Sequence, residues 1–273
     1  MKIIALILLL QLFIGCANSK DKTYVGSTPA GQVVRAFLGI PLADSVDFIR
    51  WKLNLSQNNY QLRCNYGIGK ANTNGFIHGG KQLEISGYLK KEKFIYLLQY
   101  GNKTLKIAEL NNDLLHFLNA DNSLLVGNGG WSYTLSNISP TMSNLVNINS
   151  SSSFLKDSMS FTGRTPCNVP GIVQGGMKCY KLKWYIVLYS NVEKNESGSY
   201  KVYGTPWPKE APKTGNWIME RRNGQLIYRL NDQQGNGFLY FLKPDANILM
   251  FIDANGKLLV GNEDFSYTLN RRY

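Results

Sequence analysis

The chain has 273 residues, 44% apolar and 12% aromatic, a globular profile that excludes a disordered protein and leaves room for two ordinary domains. Its formal charge of +12 draws anionic partners by long-range attraction. The basic residues are scattered, without a basic stripe or a recognition motif, so nucleic acid is not an expected partner.

Residues 1–16 read MKIIALILLLQLFIGC. Lys2 supplies a positive start, and the apolar run from Ile3 to Ile14 has the length of a signal-peptide core, too short to span a membrane as a helix. It stops at Gly15-Cys16, and Phe-Ile-Gly-Cys resembles the bacterial lipobox, which implies that Cys16 is lipidated and becomes the mature N-terminus; ordinary secretory cleavage near Ala17 is the alternative. Acyl chains contribute about 0.8 kcal/mol per buried CH₂, so the expectation is a protein anchored to a membrane rather than crossing it. The expected organisation is a signal peptide over 1–15, a lipidated tether over 16–22, a first domain over 23–136, a linker over 137–158 and a second domain over 159–273.

Tyr24-Val-Gly-Ser-Thr-Pro29 reads as a strand ending in a turn. Val33, Val34, Phe37 and Leu38 fall on one face of a short helix that Gly39 and Pro41 end, a plug for one end of a barrel. Ile49, Trp51, Leu53 and Leu55 then alternate with Arg50, Lys52 and Asn54, a half-buried strand. Tyr60–Tyr66 returns antiparallel. Gly67-Ile-Gly-Lys70 lacks the spacing of a phosphate loop and no helix follows it, so 67–81 reads as a Gly/Asn-rich hairpin loop. Asp44, Asp47 and Arg50 read as decoration of a helix end and a strand's outer face. Further strands are expected near 82–89, 93–99, 103–110 and 114–118.

The next stretch occurs twice. Residues 124–135 read LLVGNGGWSYTL and 258–269 read LLVGNEDFSYTL, and 12 of 23 positions are identical between 113–135 and 247–269. Such a duplication means two copies of one folded unit. Each copy should close on a hairpin, with Trp131, Tyr133 and Leu135 facing the core and Ser132 and Thr134 on the other face; Asn255-Gly256 suits a type I′ turn. The Ser/Asn-rich linker follows, and the second copy repeats the plan: Phe161–Pro166 matches Tyr24–Pro29, Lys183–Leu188 matches Arg50–Leu55, and Gly215-Asn-Trp217 stands near Gly75-Phe76. The predicted fold class is all-β, two tandem antiparallel lipocalin-like barrels.

In the second copy, Phe161, Gly163, Pro166 and Cys167, then Gly171-Ile172, Gly215-Asn216-Trp217 and Ile252-Asp253-Ala254-Asn255-Gly256-Lys257, follow one another in an order that resembles the N-terminal domain of the NlpE family of outer-membrane lipoproteins. The resemblance covers 159–262 and reaches the first copy through the repeat. It implies a small lipocalin-like barrel at the outer membrane, in a family linked to copper tolerance, surface sensing and envelope stress. The family's Cys-x-x-Cys is absent: Cys167-Asn168-Val169-Pro170 lacks the second thiol, and Ala30 stands in the first copy.

Three cysteines follow Cys16. A Cys167–Cys179 disulfide in an oxidising envelope, leaving Cys64 as an odd buried thiol, stands beside unpaired structural thiols and beside a soft Cu(I) site of Met159, Cys167, Met177 and Cys179. His116 has Met250 as its repeat counterpart and reads as structural; His78 has no companion ligand nearby. No triad, zinc spacing or carboxylate pair is advertised. The expectation is a non-enzymatic envelope lipoprotein that binds or senses, with an envelope sensor protein or an anionic surface polymer as partner. Copper handling or thiol redox, and carriage of a small apolar ligand within a barrel, are the alternatives.

Overall fold

Strand alternation builds the barrel walls. A computed structural model describes residues 21–141, 157–172, 179–191, 193 and 196–273. The leader with Cys16, most of the linker, and Met177 lie outside the described residues. The first copy runs through β1 (Lys22–Pro29), β2 (Phe48–Leu55), β3 (Asn59–Gly67), β4 (Lys81–Glu92), β5 (Ile95–Tyr100), β6 (Lys103–Asn111), β7 (Leu114–Phe117) and β8 (Thr134–Asn137). Each strand is antiparallel to the next, and β8 pairs back to β1, closing the barrel and leaving no free edge. The second copy closes in the same way through β9 (Ser158–Thr165), β10 (Leu182–Asn191), β11 (Glu196–Gly204), β12 (Lys213–Arg222), β13 (Gln225–Asn231), β14 (Gly237–Leu242), β15 (Ile248–Ile252) and β16 (Thr268–Arg272).

The shared opening motif has a physical reason. The buried indole N–H of Trp51 donates to Thr28 Oγ1 at 2.8 Å, and that of Trp184 donates to Thr165 Oγ1 at 2.8 Å. A buried indole needs such an acceptor. The preceding glycine is forced by barrel closure. A Cβ on Gly26 would lie 2.8 Å from Leu135 Cδ2 and 2.9 Å from the Thr134 carbonyl, and one on Gly163 would lie 2.6 Å from Leu269 Cδ2 and 2.9 Å from the Thr268 carbonyl.

The interiors are filled with side chains. Trp51, Leu53, Leu105, Ile107, Phe117 and Leu135 are among the buried core of barrel 1; Phe161, Ile186, Trp217, Tyr228, Phe241 and Leu269 are among that of barrel 2. The expected short helix forms as α1 (Gln32–Leu38); it buries Val34, Phe37 and Leu38 and ends on Gly39 in the left-handed region. In barrel 2 a loop takes its place. There the Cys167–Cys179 disulfide braces a segment whose Val169 is buried and whose Asn168 carbonyl accepts from Tyr267 Oη at 3.0 Å.

Three sequence expectations are corrected. The repeated LLVGN segments are loops rather than hairpin strands, their backbones pairing with the strands before them through single bridges, Leu118 to Leu124 and Ile252 to Leu258. The turn at 253–257 is led by Asp253, whose carboxylate accepts from Asn255 and Lys257 N–H; only Gly256 has positive φ (85°), so the turn is not type I′. Gly215 corresponds to Gly87, not Gly75: Gly87 pairs with Tyr60 as Gly215 pairs with Tyr200, and a Cβ at either glycine would collide with that tyrosine.

The two barrels dock across a pseudo-two-fold axis. Thr134 Oγ1 lies 3.0 Å from Thr268 Oγ1, and Ser132 Oγ lies 2.5 Å from Ser266 Oγ, each pair being one repeat position meeting its own copy. The reciprocal pair also holds: Gly127 N–H donates to Asn270 Oδ1 at 2.6 Å, and Gly261 N–H donates to Ser136 Oγ at 3.0 Å. Self-pairing plus reciprocity marks an isologous interface. Leu110 and Leu114 of barrel 1 share one apolar cluster with Ile227, Leu242, Ile248, Met250, Ile252 and Leu258 of barrel 2. Strands β7 and β15 are therefore buried on both faces, which accounts for the unbroken apolar run of β15 and for the run of β7 that only His116 interrupts.

His116 breaks the symmetry of this interface. Fully buried, its Nε2–H donates to the Leu125 carbonyl at 2.9 Å, so Nδ1 accepts the Thr134 hydroxyl at 2.9 Å and Thr268 in turn donates to Thr134. Burial pushes its pKa down to about 4. In the unfolded chain the imidazole takes a proton near pH 6.5, whereas the folded chain resists until about pH 4. Stability tied to neutral His116 is thus complete above pH 6.5 and is lost as pH falls towards 4. We expect wild type to lose up to roughly 3 kcal/mol more than His116→Met between pH 7 and pH 4. Urea unfolding of both proteins across that range checks this; parallel curves would contradict it.

Candidate functional site

Barrel docking creates a cleft of about 430 Å³ that opens at the surface. Barrel 1 supplies Asp47, Phe48 and Arg50 around the start of β2, the loop 69–74, and Trp131; barrel 2 supplies Arg164 from β9, then Tyr180, Lys181, Lys183, Asp264 and Phe265. The lining follows the repeat. Arg50 and Lys183 each precede a core tryptophan, and Trp131 and Phe265 are one repeat position. The cleft therefore straddles the pseudo-two-fold axis.

One half of the cleft is clasped. Arg50 Nη2 lies 2.5 Å from Asp264 Oδ1 and also donates to the Asn74 carbonyl at 2.6 Å; Asn74 Nδ2 donates to Asp264 Oδ2 at 2.6 Å. The loop 68–80 reaches Asp264 because Asp47 Oδ2 accepts Gly69 N–H at 2.7 Å and Lys70 N–H donates to the Gly75 carbonyl at 3.0 Å. Burial raises the Asp264 pKa, and Arg50 opposes that rise. Behind the clasp Phe76, Phe48 and Trp131 stack in series, at 4.2 and 4.5 Å between centroids, with Arg50 over Phe76 at 5.9 Å.

The other half holds cations on aromatic faces. Arg164 lies over Trp131 at 5.3 Å, and Lys181 lies over Phe265 at 5.5 Å and over Tyr180 at 5.2 Å. Among the described residues, Arg164, Lys181 and Lys183 make no ion pair. Burial lowers the Lys181 pKa, Arg164 and Lys183 lower it further, and Asp264 opposes them. In all, Arg50, Lys70, Arg164, Lys181 and Lys183 face the carboxylates of Asp47 and Asp264. The cleft thus carries an excess of positive charge.

No protein family, characterised protein or solved structure matches the chain. What the cleft does is therefore argued from its own residues.

The soft-ligand set is not assembled in this structure. Cys167 and Cys179 are joined to each other, so neither presents a thiolate; Met159 is buried in the core of barrel 2, and Met177 lies outside the described residues. A Cu(I) site from these residues would need the reduced chain. Cys64 is a free, buried thiol whose pKa burial raises far above the thiol range. His78 is exposed in its loop. Trp131, expected in the core, is half-buried in the cleft wall, because the chain at 131 is a loop and strand alternation does not govern it.

Sequence reasoning missed the cleft residues. Arg50 and Asp47 read as strand decoration, and the 67–81 loop as a bare hairpin. The available signal was the repeat itself: Glu263-Asp264-Phe265 stands against Gly129-Gly130-Trp131, the point where two otherwise matched segments differ in charge.

Asp264 fixes both Arg50 and Asn74, so Asp264→Asn leaves a partly buried guanidinium unpaired. The expected cost is about 1–3 kcal/mol. The midpoint of chemical unfolding measures it, and an unchanged midpoint would show that the clasp contributes nothing.

Proposed function

We propose that this chain is a non-catalytic, lipid-anchored binding or sensing protein of the bacterial cell envelope, held at the outer membrane through Cys16, and that its ligand site is the cleft between the barrels. The observation that carries the reading is the imbalance of the cleft, where five cations face two carboxylates at a place both barrels line. A stable fold has no structural need for crowded, unpaired cations, and an anionic ligand relieves them. The envelope part rests on the leader and on the resemblance of 159–262 to the NlpE family.

The two-barrel plan suits sensing. A ligand touching Arg50 and Lys70 on one barrel and Lys181 and Lys183 on the other ties the barrels together, and by mass action it stabilises the docked state.

Two measurements test the proposal. Cys16→Ala should move the protein from the membrane to the soluble fraction; unchanged fractionation would refute the anchor. Titrating galacturonate or inorganic phosphate into the purified full-length protein should raise its melting temperature in a saturable way, with affinity at least 10-fold weaker in Lys181→Gln. No saturable effect from either anion would refute the cleft as a binding site.

A further inference from the structure

The two halves of the cleft are the same construction with different residues in it. The loop bearing Asp264 and the loop bearing Gly130 share their hydrogen bonds. Asn262 Oδ1 accepts from Asp264 and Phe265 N–H at 3.0 and 2.9 Å, and Asn128 Oδ1 accepts from Gly130 and Trp131 N–H at 3.0 and 3.0 Å. Gly130 therefore occupies, in one half, the position that Asp264 occupies in the other. The strands facing the loops correspond as well. Arg50 pairs with Ser27 across β2 and β1, and Lys183 pairs with Arg164 across β10 and β9.

In the first half, the carboxylate of Asp264 neutralises Arg50 beside a neutral Ser27. In the second half, Lys183 stands for Arg50, Arg164 for Ser27 and Lys181 for Phe48, while glycine stands where the carboxylate would be. That half has gained cations and lost its acid. The space is real: a Cβ at Gly130 would have Arg164 Cζ and Nη1 as neighbours at 3.7 Å and Asn128 Oδ1 at 3.2 Å, and Gly130 does not adopt positive φ.

We infer that the pocket beside Gly130 is an anion subsite in which the phosphate of a phosphate monoester takes the place of the missing carboxylate, held by Arg164, Lys181 and Lys183. The inference rests on the cleft being the binding site. A monocarboxylate offsets a single cation, whereas a phosphate monoester carries about −1.5 to −2 near neutral pH and offers three acceptor oxygens. Arginine meets such a group with two parallel N–H donors, and the lysines add compact charge. The cleft volume exceeds what phosphate fills, and exposed Tyr180 with the edge of the aromatic stack leaves a wall for the polar ring of a sugar phosphate. The same monoester could instead be a lipid headgroup, since the protein is proposed to sit on a membrane.

The decisive variant is Gly130→Asp, which restores the internal carboxylate. Full-length wild type, Gly130→Asp and Lys183→Gln would be titrated with glucose 6-phosphate and with galacturonate by calorimetry, and melted without ligand. We expect glucose 6-phosphate to bind wild type at least 10-fold more tightly than galacturonate. Gly130→Asp should melt at a higher temperature than wild type and bind glucose 6-phosphate at least 30-fold more weakly; Lys183→Gln should also bind it more weakly. Equal affinity for the two ligands, both lost in Gly130→Asp, would overturn the phosphate assignment and leave the cleft reading intact. Glucose 6-phosphate affinity unchanged in both variants, with no rise in melting temperature, would overturn the subsite altogether. Vesicles containing phosphatidic acid, mixed with Cys16→Ala protein, separate the sources. Recruitment reversed by glucose 6-phosphate places the monoester on a lipid, and binding of the sugar phosphate without recruitment places it on a soluble ligand.

Discussion

The packing of one barrel's closing strands on the other's is the contact on which the rest of the molecule depends. Each barrel is closed by pairing its last strand to its first, so neither needs a neighbour to cover a strand edge. What each does present is an apolar outer face on β7 or β15, and these faces cover one another around the Thr134–Thr268 contact. Exposed, such faces would make a contiguous sticky patch; together they form a third core. The cleft exists only because of this docking, since Arg50 and its partner Asp264 belong to different barrels.

Most of the fold was legible in the sequence. The alternation Ile49, Trp51, Leu53, Leu55 gives the wall strand, the spacing of Val34, Phe37 and Leu38 before Gly39 gives α1, and the duplication gives two units. The docking is less legible, although its signal is present. Leu114–Leu118, His116 apart, and Ile248–Ile252 lack polar alternation because both their faces are covered, and an apolar run announces burial without naming what buries it. In the sequence alone, the identities shared by the two copies read as hairpin framework. Ser132 and Ser266, and Thr134 and Thr268, instead face one another across the axis, while Gly127 and Gly261 donate reciprocally to Asn270 and Ser136. An isologous contact places the same demand on both sides, so the same residues satisfy it in each copy.

The site was less legible than the fold because its parts are far apart in the chain. Arg50 meets Asp264 across 214 positions, and no local pattern anticipates such a pair. Outward residues of a strand carry no signal of their own, since a solvated face and an interface face both read as polar. Only the comparison of one copy with the other exposes the site, where Gly129-Gly130 and Glu263-Asp264 occupy matching loops.

Fusion of the two barrels into one chain is what permits that difference. In a symmetric dimer of single barrels, any residue near the axis occurs twice, so an acid that clasps one arginine would clasp the other, and an extra cation would be doubled. With two covalently linked copies the halves can part company. One half keeps Arg50, Asp264 and Asn74 as a neutral clasp that fixes the docking angle. The other half is thereby free to hold Arg164, Lys181 and Lys183 without a carboxylate paired to any of them, because the docking no longer depends on balancing charge there. Repulsion that would weaken a symmetric interface on both sides is confined to one side, where the clasp and the shared apolar core hold the geometry against it.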